Sequence, residues 1–124
     1  MRSQTMNSVI DEDTLLVLDD LFGNPQYLSE LLPPFRSQVA SVQSGLEQAI
    51  HKLDLKAVIF HAHSLKSSSA QLGALRVSGC CQLIETLGYR AEWADLDMAL
   101  GNLKAEAARA VLELSELEVT RRAA

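Results

Sequence analysis

His63 and Lys66 stand three residues apart in the run His63-Ser64-Leu65-Lys66-Ser67-Ser68-Ser69-Ala70-Gln71-Leu72-Gly73-Ala74. On a helix that spacing puts both side chains on one face. A neutral imidazole is a competent nucleophile at neutral pH, because the ring titrates at about 6.5 and above that keeps one nitrogen lone pair free. An ammonium one turn away can neutralise an anion that the ring has taken up, such as a phosphoryl group. The other side of the same segment is apolar or small: Val58, Ala62, Leu65, Ser69 and Leu72 follow in steps of four and three. That is the stripe of a helix with one buried face. His63 lies one residue off the stripe and is expected to be partly exposed, with the small Ser67 and Ala70 one and two turns on.

Other chemistries find less support. Of the three histidines, His61 and His63 are two residues apart and diverge on a helix, while His51 falls on a different predicted helix. No His-x-x-x-His or Glu-x-x-His pair is present, so no metal site is expected. Cys80 and Cys81 are adjacent, and on a helix they point about 100° apart, which is poor geometry for a bond between them. They read as reduced thiols at or near a core, as in the cytosol. A formal net charge of -5 argues against nucleic acid as the main partner. No apolar run has the length of a membrane span, and the first eight residues lack the apolar stretch of a secretory signal, so a cytoplasmic protein is expected. There is no Gly-rich phosphate loop or kinase-like pattern, and nucleotide binding is not expected.

The elements that must hold His63 and Lys66 are helical. With 124 residues the chain suits one domain, and 48% hydrophobic against 22% charged residues allows a real core. Six Gly, three Pro and 5% aromatics fit helices better than strands. A first helix is expected over residues 11–22, facing inward with Leu15, Leu18 and Phe22, flanked by Leu16 and Leu21, and ended by Gly23. Asn24 and Pro25 offer a cap and a first-turn proline for a second helix, whose stripe reads Leu28, Leu32, Phe35, Val39, Val42, Leu46, Ile50, Leu53. Pro33-Pro34 removes two backbone donors, so that helix must kink or restart there. Asp54 caps the third helix, which Gly73 ends. The fourth begins near Leu75 with Val77, Cys81, Ile84 and Gly88 inward, and Gly88 to Trp93 reads as a loop. The last runs from about Asp95 to Val119 on Leu96, Leu100, Leu103, Ala107, Val111, Leu114 and Leu117. Near-heptad steps favour shallow crossing angles, hence an all-α fold: an antiparallel four-helix bundle with a short additional N-terminal helix. The domain is expected over residues 9–120, with 1–8 and 121–124 as flexible termini.

The stretch from Ala62 to Ala74 closely resembles the central motif of the histidine phosphotransfer (HPt) domain family of multistep two-component phosphorelays, which reads approximately A-H-x-L-K-G-S-S-x-x-L-G-A. Val77, Cys81, Ile84 and Glu85 also fit the family's next helix, and the resemblance extends from about Ile10 through the last helix. It implies that His63 is the phosphoacceptor, that Lys66 neutralises the phosphoryl group and that Glu85 orients the ring by accepting Nδ1–H, leaving Nε2 to attack. Independently, a turn at Gly73 would bring Glu85 to the height of His63, since they lie twelve residues after it and ten before it. The family usually has Gly where this chain has Ser67, which adds a hydroxymethyl group beside the ring. A docking surface is expected from Phe60, Ser64, Ser67, Ala70 and Arg76, with Lys56 and Arg90 as further rim cations and Leu15 and Leu18 as further apolar candidates.

The implied function is a phosphocarrier without ATP binding. It would take the group from a receiver-domain phosphoaspartate and pass it to another receiver aspartate. Its partners would be response-regulator receivers and a hybrid sensor histidine kinase. It would need no cofactor of its own, Mg²⁺ coming from the receiver, and it would be a monomer. Two alternatives share the sequence pattern: the phosphoacceptor module of chemotaxis-type histidine kinases, and a helical adaptor whose histidine is idle.

Overall fold

Five stretches that alternate an apolar with a polar side at helical spacing are the five helices of the computed structural model, which describes residues 10–23 and 26–123. They are α1 (Glu12–Phe22), α2 (Tyr27–His51), α3 (Leu55–Gln71), α4 (Leu75–Tyr89) and α5 (Trp93–Ala123). No strand occurs among the described residues. Helices α2 to α5 form an antiparallel bundle in which each packs on the next and α5 closes against α2. The expected flexible segment 1–8, and the capping roles of Asn24 and Pro25, lie outside the described residues.

The core follows the stripes. Leu28, Leu46, Val58, Ala62, Leu65, Cys81, Ile84, Leu96, Leu103, Ala107 and Leu114 are fully buried. Burying one such aliphatic side chain contributes roughly 1.5–3 kcal/mol, so the bundle rests on these rows rather than on surface pairs. Ser69 sits in the same stripe because its hydroxyl donates to the Leu65 carbonyl (2.7 Å), which satisfies it inside its own helix. Pro33 and Pro34 neither end nor split α2. They lie in its second turn, and the carbonyls deprived of a donor belong to the exposed Ser29 and Glu30, where water can serve them.

Four expectations need correction. Leu53 is not in the core stripe: it is 63% exposed in the turn after α2, with φ of 56°. Gly88 and Tyr89 belong to α4, and the connection to α5 is only residues 90–92, with Ala91 at φ 54°. Both turns close on the preceding helix, by Asp54 N–H to the Ala49 carbonyl (2.8 Å) and Glu92 N–H to the Leu87 carbonyl (3.0 Å). Such left-handed residues are normally Gly, and without Gly the stop could not be seen in the sequence. On α1 only Leu15 is buried; Phe22 is exposed and stacks on Tyr27, with ring centroids 5.3 Å apart. Lastly, α5 begins at Trp93 and continues to Ala123 rather than stopping near Val119.

Polar fasteners hold α1. Asp11 caps it by accepting from Thr14 N–H (3.1 Å) and the Thr14 hydroxyl (2.6 Å), while Asp11 N–H donates to the Gly73 carbonyl (2.8 Å). Ile10 N–H donates to Glu113 of α5 (2.9 Å), Arg121 pairs with Asp19, and the Arg121 guanidinium lies over the Tyr27 ring at 5.9 Å. The Tyr27 hydroxyl donates to the Leu15 carbonyl, and burial pushes its pKa up to about 12.

Candidate functional site

Three side chains from two helices meet on the α3–α4 face. His63 projects from the middle of α3, 63% exposed, while the Glu85 side chain on α4 is 9% exposed. His63 Nδ1 lies 3.0 Å from Glu85 Oε2, and Lys66 Nζ donates to Glu85 Oε1 at 2.5 Å and to Gln82 Oε1 at 3.1 Å. Both carboxylate oxygens are therefore engaged, one by each partner.

The hydrogen bond from Lys66 holds the Glu85 carboxyl below its usual range; burial opposes this, and the bond with His63 adds to it. Glu85 is consequently ionised at neutral pH and can only accept. In the neutral ring the proton then belongs to Nδ1, and the lone pair stands on Nε2, the nitrogen turned away from Glu85.

Close contact between α3 and α4 makes this possible. Gly88, one turn beyond Glu85, leaves no room for more: a Cβ there would come within 3.1 Å of Ile59 and 3.3 Å of Val58. Cys81, one turn before Glu85, is buried. Burial above all, and then the nearby Cys80 and Glu85, push its thiol up to about 12 against the pull of Lys66, so it forms a neutral floor. Cys80 is half-buried; both cysteines are free.

Two concavities lie along α3, one of them at the imidazole. On one side Ile59, Phe60, His63, Ser64, Glu85 and Tyr89 enclose an open cleft of about 360 Å³. Phe60 and Tyr89 stand on its rim, 68% and 72% exposed. On the other, an apolar groove of about 580 Å³ runs between α1 (Val17, Leu21, Phe22), α2 (Leu31, Phe35, Gln38) and the end of α3 (Ser68, Ala70, Leu72). Gln38 joins the two by donating to the Ser64 hydroxyl (3.1 Å) and carbonyl (3.4 Å).

The structure thus gathers His63, Lys66 and Glu85, with Phe60 and Ser64 beside them. Ser67 is exposed one turn from His63, and Ala70 is exposed on the groove wall with the half-buried Leu18. Leu15 belongs to the core. Arg76 is not brought to the site: nine residues from Glu85, it falls on the opposite face of α4 and reaches Glu106 of α5 at 3.8 Å. Lys56 and Arg90 are exposed at the end of the bundle beyond the cleft. Tyr89 was missed because Gly88 looked like a helix stop, although its spacing of four from Glu85 marks it as a neighbour. Among the described residues no group of His, Cys, Asp and Glu could hold a metal ion, and no helix is long and apolar enough to cross a membrane.

Comparisons with known proteins bear on the fold and the family. No curated protein matches the chain. The crystal structure of histidine-containing phosphotransfer protein B (HptB) from Pseudomonas aeruginosa PAO1 superposes with a TM-score of 0.84 over 92% of this chain and 97% of that one, at 22% identity, a likeness of fold. The family model of the Hpt domain matches residues 30–118, the stretch that carries His63, Lys66 and Glu85. The chain therefore belongs to the Hpt domain family, the histidine phosphotransfer domains of phosphorelays.

Proposed function

We propose that the chain is a phosphocarrier that receives a phosphoryl group on His63 from the phosphoaspartate of one receiver domain and yields it to the aspartate of another. The observation that carries this is an exposed imidazole whose Nδ1 is tied to a buried carboxylate, so that Nε2 faces outward as the nucleophile. In the forward step the Nε2 lone pair attacks phosphorus in line. The P–N bond forms as the acyl phosphate P–O bond breaks, and the aspartate carboxylate leaves. Phosphoryl transfer has a loose transition state, so the work lies in positioning and in balancing charge. Lys66 stands one turn from His63 and is placed to meet the incoming oxygens. The chain supplies no cofactor in this reading; Mg²⁺ belongs to the receiver's acidic pocket.

The groove between α1, α2 and α3 is the surface on which the receiver docks. It is apolar, it is open, and Gln38 links it to Ser64 next to the nucleophile. Incubation with a ³²P-labelled phospho-receiver tests the reading. Wild-type protein gains acid-labile label and His63→Gln gains none. Label on His63→Gln at the wild-type rate refutes the site. An unlabelled wild-type chain that still binds receivers is an adaptor, and one labelled only by an ATP-loaded kinase domain is a kinase phosphoacceptor.

A further inference from the structure

We propose that the outward face of α5 is a self-association surface, on which a second copy of this chain docks with its own α5 running antiparallel. One side of α5 is buried in the bundle through Leu100, Ala107 and Leu114. The opposite side carries a second apolar row, Ala94, Met98, Gly101, Ala105, Ala108 and Leu112, in strict steps of four and three. That is the spacing of a seam that packs on another helix. Every member is exposed, Met98 by 75% and Leu112 by 61%. Gly101 points the same way. It sits inside a 31-residue helix, where glycine is weaker than alanine. A Cβ there would meet nothing within 4 Å, so the fold of one chain has no need of glycine. A second backbone crossing the row at its closest point does.

The row complements itself when the two helices run in opposite directions. With the twofold axis at the level of Leu103, Met98 of each copy meets Ala108 of the other and Leu112 meets Ala94, each large side chain against a small one. Gly101 meets Ala105 at the crossing. Ala108 borders a concavity of about 490 Å³ between α2 and α5, walled by Val39, Ala40 and Val111, in which a flexible thioether can settle. Charge selects the same direction. The exposed Asp95 and Asp97 of one copy come level with Arg109 of the other, whereas a parallel pair would set each charge against its own kind. Lys104, nearest the axis, is neutralised by Glu47 of its own α2. Only about 28 Å of each helix overlaps, short of the roughly 800 Å² per partner of a stable interface, so the pair is weak and gives way to single chains on dilution. Because α5 packs on α4 and α2, its outer face looks away from α3, and both His63 rings stay uncovered.

The test uses the whole chain. Sedimentation equilibrium and ¹H–¹⁵N NMR spectra are recorded from about 20 µM to about 1 mM, the range in which a weak pair forms. The apparent mass is expected to rise from that of one chain toward that of two, with the shift changes confined to residues 94–112 and the adjoining turns of α2. Met98→Lys and Ala108→Glu, both at exposed positions, each weaken association at least about tenfold. Their melting temperatures, and labelling of His63 by phosphoramidate (a small donor that needs no receiver), stay as in wild type. Mixed in equal parts, the two variants associate again, because an antiparallel pair brings the added ammonium onto the added carboxylate; a parallel pair would hold them apart. A wild-type chain that stays single at the highest concentration, shift changes that map away from α5, variants that associate as wild type does, or a mixture no better than either variant alone overturns the proposal. Should a variant fail to fold, the wild-type dilution series decides alone.

Discussion

At Glu85 one carboxylate serves two masters, and its two oxygens are not equivalent. One holds the His63 ring at Nδ1 and the other binds the Lys66 ammonium. Truncating the cation separates these duties. Lys66→Ala is expected to fold as wild type and to accept phosphoryl groups from a receiver about tenfold to a hundredfold more slowly, the usual effect of losing one charge-stabilising donor; rapid-quench labelling measures it. A second expectation concerns stability. The folded-state pKa of Glu85 lies below its ordinary 4.5, so its contribution is fully present above about 4.5 and is lost as the pH falls through the lower folded value. The gap in unfolding free energy between wild type and Glu85→Gln, measured in urea, therefore narrows as the pH falls below about 4.5. Much of this trio was legible beforehand. His63 and Lys66 share a helix face at a spacing of three, and a turn at Gly73 levels Glu85 with His63. What could not be read was that Glu85 also binds Lys66, because a contact between helices depends on how closely they approach, and here the closeness comes from Gly88.

Each helix begins or ends for a reason that can be named, and the legible boundaries are those with a residue-type signature. Asp11 and Asp54 cap α1 and α3 by accepting from the third residue on, as their types foretell. Gly23 and Gly73 take the left-handed conformation that follows a helix. Leu53 and Ala91 take it too, at a cost of roughly 1–2 kcal/mol each, and no sequence pattern announces them. Paired substitutions test the account. Ala91→Gly is expected to gain about 0.5–1 kcal/mol, the relief of strain less the added freedom of the unfolded chain. Gly73→Ala is expected to lose about 1–2 kcal/mol, and its new Cβ would also sit 3.1 Å from the Asp11 carbonyl oxygen. Equilibrium denaturation of both variants checks the two signs.

Across the whole molecule, one side of the bundle carries His63, Lys66 and Glu85 and a neighbouring side carries the groove. The separation has a measurable consequence. Leu21 is 74% exposed on the groove wall and contributes little to the core. Leu21→Glu should leave stability and labelling by phosphoramidate unchanged, yet lower kcat/KM for a phospho-receiver by about tenfold, the loss of roughly 1.4 kcal/mol of docking energy. The bundle itself was visible in the stripes. The groove was not, because the periodicity of α1 pointed Phe22 inward, whereas the chain turns that ring onto Tyr27 instead.

The unequal lengths of the helices bear on this division. At 1.5 Å per residue α5 is about 46 Å long and α3 about 25 Å, and the excess runs on past Leu114 to meet Ser29, Asp19 and the Tyr27 ring through Glu118 and Arg121. A protein cut after Leu114 would keep His63, Lys66 and Glu85, yet lose the Glu118 and Arg121 contacts that brace α1 and the start of α2, two walls of the proposed docking groove. If the groove receives the partner as proposed, drift in the last two turns of α5 would change which partners fit while His63, Lys66 and Glu85, held on α3 and α4, stay as they are.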